Sequence, residues 1–128
     1  MPAQVLIVDD CRTVRTQVRG MLSVAGYEVD EATDGRTALI KVRETPPDVI
    51  VLDIQMPEID GYGVCQALKN MGTPWDRIPI LFLTSLDSNA LNLLGNAMGT
   101  YLRKPVGFDE LLDSMATLVG SAVTCPDV

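Results

Sequence analysis

The sequence predicts an α/β fold, a parallel five-stranded sheet lying between two layers of helices. Three observations carry this. Val5-Leu6-Ile7-Val8, Val49-Ile50-Val51-Leu52 and Ile78 to Leu83 are continuous apolar runs rich in β-branched residues. Such runs are expected of strands buried on both faces. The stretches between them carry apolar residues at spacings of three and four, the period of a helix with one buried face. The chain is also large enough to bury what it predicts, since 47% of its 128 residues are hydrophobic.

The elements follow in order. Strand 5–8 ends abruptly at Asp9-Asp10. Residues 12–25 place Val14, Val18, Met21, Leu22 and Ala25 on one helical face, and Gly26 is a fitting stop. Tyr27 to Ala32 is a weaker strand. Residues 35–44 form a helix through Ala38, Leu39 and Val42. Strand 49–52 ends at Asp53, and residues 61–70 follow as a helix through Val64, Ala67 and Leu68. Strand 78–83 ends at Thr84-Ser85, with Pro79 expected near its first residue, where a missing N–H is tolerated. Residues 87–98 read as a helix, Thr100 to Arg103 as a short strand and residues 107–119 as the last helix. Residues 1–120 form one domain on this reading, and 121–128 form a flexible tail.

Strict alternation of strand and helix means a parallel sheet covered on both faces. With five strands the natural arrangement is the flavodoxin-like (βα)5 three-layer sandwich, order 2-1-3-4-5. In that order the ligand crevice opens between strands 1 and 3, at their carboxyl ends. Strand 1 delivers Asp9 and Asp10 there, and strand 3 delivers Asp53. The fourth strand adds Thr84 and the fifth adds Lys104.

Composition excludes much else. The chain has no histidine, which removes Ser-His-Asp and Cys-His catalysis and His-ligated metal sites. The net charge of −7 argues against direct binding to a phosphate backbone. Three cysteines without a CxxC pair support neither a disulfide framework nor a zinc site. The first residues do not read as a signal peptide, and no apolar run approaches the roughly 18 residues of a membrane span. The expectation is a cytoplasmic protein without membrane insertion.

Three gathered carboxylates repel one another and call for a hard divalent cation. Mg2+ is the usual choice where phosphate is handled, with Mn2+ as an alternative. Phosphoryl transfer needs positive charge on the equatorial oxygens, which the metal and Lys104 could supply, with a hydrogen bond from Thr84. A carboxylate is an established nucleophile for this chemistry. Asp53 therefore has the setting of a phosphorylatable aspartate.

The acidic pair Asp9-Asp10, the stretch Asp53-Ile54-Gln55-Met56-Pro57-Glu58-Ile59-Asp60-Gly61, the pair Thr84-Ser85 and the stretch Tyr101-Leu102-Arg103-Lys104-Pro105 together resemble a response-regulator receiver domain. The likeness is to the single-domain chemotaxis type and covers residues 4–119. It implies that Asp53 is the phosphoacceptor and that Asp9, Asp10, Asp53 and the Gln55 backbone carbonyl hold the metal. It implies that Thr84 and Lys104 contact the phosphoryl group. Tyr101 would be the aromatic that turns inward when Thr84 moves, and Lys104-Pro105 a cis peptide. The phosphodonor would be a sensor histidine kinase or a histidine phosphotransfer protein. The output would be an unknown protein target, bound through segments 87–98, 100–103 and 107–119. Such a domain is not an enzyme in the ordinary sense, though Mg2+-dependent self-phosphorylation and slow autodephosphorylation are expected. Gly99-Thr100 before Tyr101 departs from the family pattern and leaves the shape of the output face open.

Arg12, Arg15 and Arg19 share one face of the first helix, either as a solvated stripe or as a docking surface for the kinase. Segment 87–98 carries no charge after Asp87, which suggests a partner surface. Two other functions stay in view. One is an interaction module of the same fold that works without phosphorylation. The other is a metal-dependent phosphatase, disfavoured because Gln55 stands where a second acid/base carboxylate is needed.

Overall fold

Five strands pair in parallel in a computed structural model that describes residues 3–54, 61–84, 100–104 and 106–124. They are β1 (Gln4–Val8), β2 (Glu28–Ala32), β3 (Val49–Asp53), β4 (Ile80–Thr84) and β5 (Thr100–Arg103). Their order is β2-β1-β3-β4-β5, as the sequence predicts. Four helices are described: α1 (Arg12–Val24), α2 (Gly35–Glu44), α3 (Gly61–Met71) and α4 (Phe108–Thr124). The expected helix 87–98 lies outside the described residues.

Side chains alternate across each strand, so the sheet feeds two cores. Leu6, Val8, Ile50, Leu52, Ile80 and Phe82 face Ala38 and Val42 of α2 and Val64, Cys65 and Leu68 of α3. Val5, Ile7, Val49, Val51, Leu81 and Leu83 face Val18 and Leu22 of α1 and Leu111 and Met115 of α4. Every residue of β3 and β4 is buried, which is why those runs are unbroken in hydrophobicity. Each Leu, Ile or Phe so buried contributes about 1.5–3 kcal/mol. β2 lies at the sheet edge, carries Glu28, Asp30 and Glu31, and is buried only at Ala32. Charges on an edge strand discourage pairing with another chain.

The helix ends follow local chemistry. α1 closes on Gly26 at φ +95°, a left-handed position that glycine takes without steric cost, and Tyr27 N–H donates to Leu22 O. Asp34 caps α2 by accepting from Thr37 N–H at 2.7 Å. Between α3 and β4, a single 3-10 turn (Trp75–Arg77) is tied to α2 by Trp75 Nε1, which donates to Val42 O at 3.1 Å.

Two boundaries differ from the sequence reading. β4 starts at Ile80 rather than Ile78. Pro79 lacks an N–H and stays outside the strand, though its carbonyl accepts from Ile50 N–H at 3.0 Å. α4 runs to Thr124, past the end at 119 expected for the last helix. Gly120 does not stop the helix. A glycine inside a helix costs only about 1 kcal/mol relative to alanine, and nothing in the sequence there forbids continuation. Residues 125–128 lie outside the described residues.

Candidate functional site

The carboxyl ends of β1, β3, β4 and β5 converge, and backbone hydrogen bonds extend the ladder just past them. Asp9 N–H donates to Ala32 O at 3.2 Å, Ile54 N–H to Leu83 O at 3.0 Å and Lys104 N–H to Thr84 O at 2.7 Å. Parallel pairing therefore fixes the backbone on which Asp9, Asp53, Thr84 and Lys104 stand. At Asp9, Asp53 and Thr84 an apolar run gives way to a polar residue.

Asp9, Asp53 and Thr84 are buried. Asp10 is exposed, yet one carboxylate oxygen from each of Asp9, Asp10 and Asp53 lies within 4.8 Å of the others. Lys104 reaches in from the end of β5. Its Nζ stands 2.9 Å from Asp9 Oδ2 and 3.4 Å from Asp53 Oδ1. Burial pushes the ammonium pKa down, but pairing with Asp9 and the charge of Asp53 outweigh this and hold it above its ordinary value. Lysine is therefore a fixed cation at neutral pH.

Three carboxylates against one ammonium leave two negative charges, much of them out of water. Asp9 Oδ1 accepts Cys11 N–H at 2.8 Å, which starts α1 in place of a side-chain cap. Asp9 Oδ2 is buried and, among the described residues, its one close polar contact is the ion pair with Lys104. A buried oxygen in that state costs free energy unless something else satisfies it. A divalent cation with oxygen ligands fits this donor set and balances the residual charge.

Of the residues expected at the site, Asp9, Asp10, Asp53 and Lys104 are brought together, and Thr84 holds the end of the neighbouring strand. Gln55 and Pro105, and with them the expected cis bond, lie outside the described residues. Tyr101 is placed on β5 in register with Phe82.

The three arginines of α1 are not equally exposed. Arg12 is exposed and Arg19 half exposed, whereas the Arg15 side chain is only 12% exposed. Arg15 Nε donates to Glu31 Oε1 at 3.1 Å and Nη1 to the Asp9 carbonyl at 2.7 Å. Arg19 pairs with the same glutamate. Sequence reasoning missed Glu31. Its only signal was an acidic residue next to the buried Ala32, on a strand that packs beside α1.

The chain matches the response regulator receiver domain family over residues 5–116. It is 43% identical to "Response regulator MprA" of Mycolicibacterium vanbaalenii across 99% of this chain and 54% of that protein. The chain thus spans about half the length of the curated relatives it matches. Among solved structures it resembles chemotaxis protein CheY4 of Vibrio cholerae, with a TM-score of 0.81 and 37% identity, covering 92% of this chain and 99% of that one. It also resembles the receiver domain of Francisella response regulator 1452, with a TM-score of 0.83 and 29% identity, over 94% of this chain and 98% of that one.

Proposed function

The chain belongs to the response regulator receiver domain family, and from that premise we propose that it accepts a phosphoryl group on Asp53 in a Mg2+-dependent reaction. The observation that carries the reading is the Lys104 ammonium standing between Asp9 and Asp53, with the Asp10 carboxylate alongside. Asp9, Asp10, Asp53 and the Gln55 carbonyl would hold the metal, Mg2+ or in its place Mn2+. When bound, the cation shields the charge of the incoming phosphoryl oxygens.

This chain's residues then have distinct tasks. The Asp53 carboxylate attacks phosphorus. An O–P bond forms, and the P–N bond of a phosphohistidine breaks. A carboxylate is itself the nucleophile and needs no general base. These 128 residues hold no histidine, so the phosphohistidine lies outside them, on a sensor histidine kinase or a histidine phosphotransfer protein. Lys104 exchanges its contact with Asp53 for one with a phosphoryl oxygen, and the Thr84 hydroxyl donates to another. That exchange biases a two-state equilibrium of the face that includes β5, Tyr101 and α4, which a downstream protein reads. Exposed Arg12, at the start of α1, offers charge to an acidic patch of the donor.

No helix among the described residues is long and apolar enough to cross a membrane. We place the reaction in the cytoplasm, where phosphohistidine donors of this kind act.

The test is direct. The chain is incubated with a small phosphodonor and Mg2+ and weighed intact. One phosphoryl group should be gained, with none gained by Asp53→Asn or after chelation. Gain by the variant, or none by the natural chain, overturns the reading.

A further inference from the structure

We propose that Arg15 is a positioning residue for the metal site: clamped by Glu31, its guanidinium fixes the backbone at Asp9 and so sets the Asp9 and Asp10 carboxylates for a divalent cation. The inference rests on the reading of these carboxylates as metal ligands.

The geometry is specific. β1 pairs with its neighbours only as far as Val8, so the Asp9 carbonyl needs a donor from outside the sheet. Arg15 supplies it at 2.7 Å, from within the helix that Asp9-Asp10 leads into. The same guanidinium gives Nε to Glu31 at 3.1 Å. Two acceptors on one rigid fork leave Arg15 little freedom to move. Glu31 is itself secured, its carboxylate by Arg19 and its carbonyl by Lys41 Nζ at 2.6 Å. The N–H of Asp9 is held by the Ala32 carbonyl, the residue after Glu31. Both ends of the Asp9 peptide unit thus lean on β2, one directly and one through Arg15. A site whose supporting contacts are loosened by about 1 Å loses function.

Charge and position predict opposite outcomes. Arg15 is a cation near the acidic cluster, so by Coulomb's law its removal should favour a second cation there. If it positions the ligands, its removal should weaken metal binding despite that gain.

Mg2+ titration of the metal-free chain, followed by backbone amide NMR shifts, separates the two. Arg15→Met should raise the Mg2+ Kd by about 10-fold, the lower end of what losing an outer-shell partner costs. Its metal-free circular dichroism should match that of the natural chain. Arg15→Lys, which keeps the charge but cannot span both acceptors, should shift Kd in the same direction by less. An unchanged or lower Kd in folded Arg15→Met overturns the proposal. If that variant does not fold, an unchanged Kd in Arg15→Lys overturns it. A natural chain that binds no Mg2+ removes the metal-site reading itself, whereas a natural chain that binds Mg2+ beside variants that bind equally well removes only this inference.

Discussion

Lys104 Nζ lies 2.9 Å from Asp9 Oδ2, so the residue that follows the sheet's far edge strand neutralises the first carboxylate beyond β1. Without the ammonium, the buried carboxylates of Asp9 and Asp53 lose their nearest counter-charge. Removing one partner of a buried ion pair costs about 3–5 kcal/mol, because the remaining charge stays desolvated. Lys104 keeps some solvent contact, so the lower end applies. Lys104→Met should therefore destabilise the metal-free protein by about 2–3 kcal/mol in urea unfolding. Mg2+ should recover part of this. A stability equal to that of the natural chain would show that Lys104 does not compensate the cluster.

Metal should act on the natural chain in the complementary sense. A ligand held only by the folded state adds about 2.7 kcal/mol when present at 100 times its Kd. Thermal unfolding should shift upward with Mg2+. Asp10→Asn removes one of three mutually repelling carboxylates, so it should raise the metal-free midpoint while reducing the shift. If Asp10→Asn responds to Mg2+ as the natural chain does, Asp10 is not a ligand.

The central strands and the acidic edge were legible in the sequence for one reason. A strand buried on both faces must be apolar throughout, so the residue at which it stops being apolar marks where the sheet meets solvent. Asp9, Asp53 and Thr84 are those residues, and the order of strands brings them together. The Arg15–Glu31 clamp was not legible. Spacing put Arg12, Arg15 and Arg19 on one face of a helix, but which of them meets β2 is decided by how α1 lies on the sheet, a non-local fact. The end of α4 was hidden for a different reason. Residues 120–124 carry no three-and-four apolar spacing, the signal by which a helix is read, yet a glycine there costs only about 1 kcal/mol and does not end it.

Phe82 is wholly buried at the middle of β4, against the core shared with α2 and α3. Its removal would leave a cavity where the surrounding strands cannot close in. Phe82→Ala should cost about 3–5 kcal/mol. Urea unfolding measures this, and a cost below about 1.5 kcal/mol would mean that the core repacks around the gap.

Glu31 makes the stability of the α1–β2 clamp depend on pH. The hydrogen bond from Arg19 lowers its carboxyl pKa most, partial burial opposes that, and Arg15 lowers it further, leaving it below the ordinary value of 4.5. A carboxylate with a depressed pKa in the folded state adds stability that is complete above the ordinary value. That contribution fades as pH falls through the folded value, because the native state must then protonate a paired group. The stability difference between the natural chain and Glu31→Gln should therefore stay flat from neutral pH down to about pH 5 and shrink below it. Urea unfolding at a series of pH values measures both proteins under the same conditions. A difference that is flat throughout, or one that grows in acid, would show that the carboxylate's charge plays no part in holding Arg15.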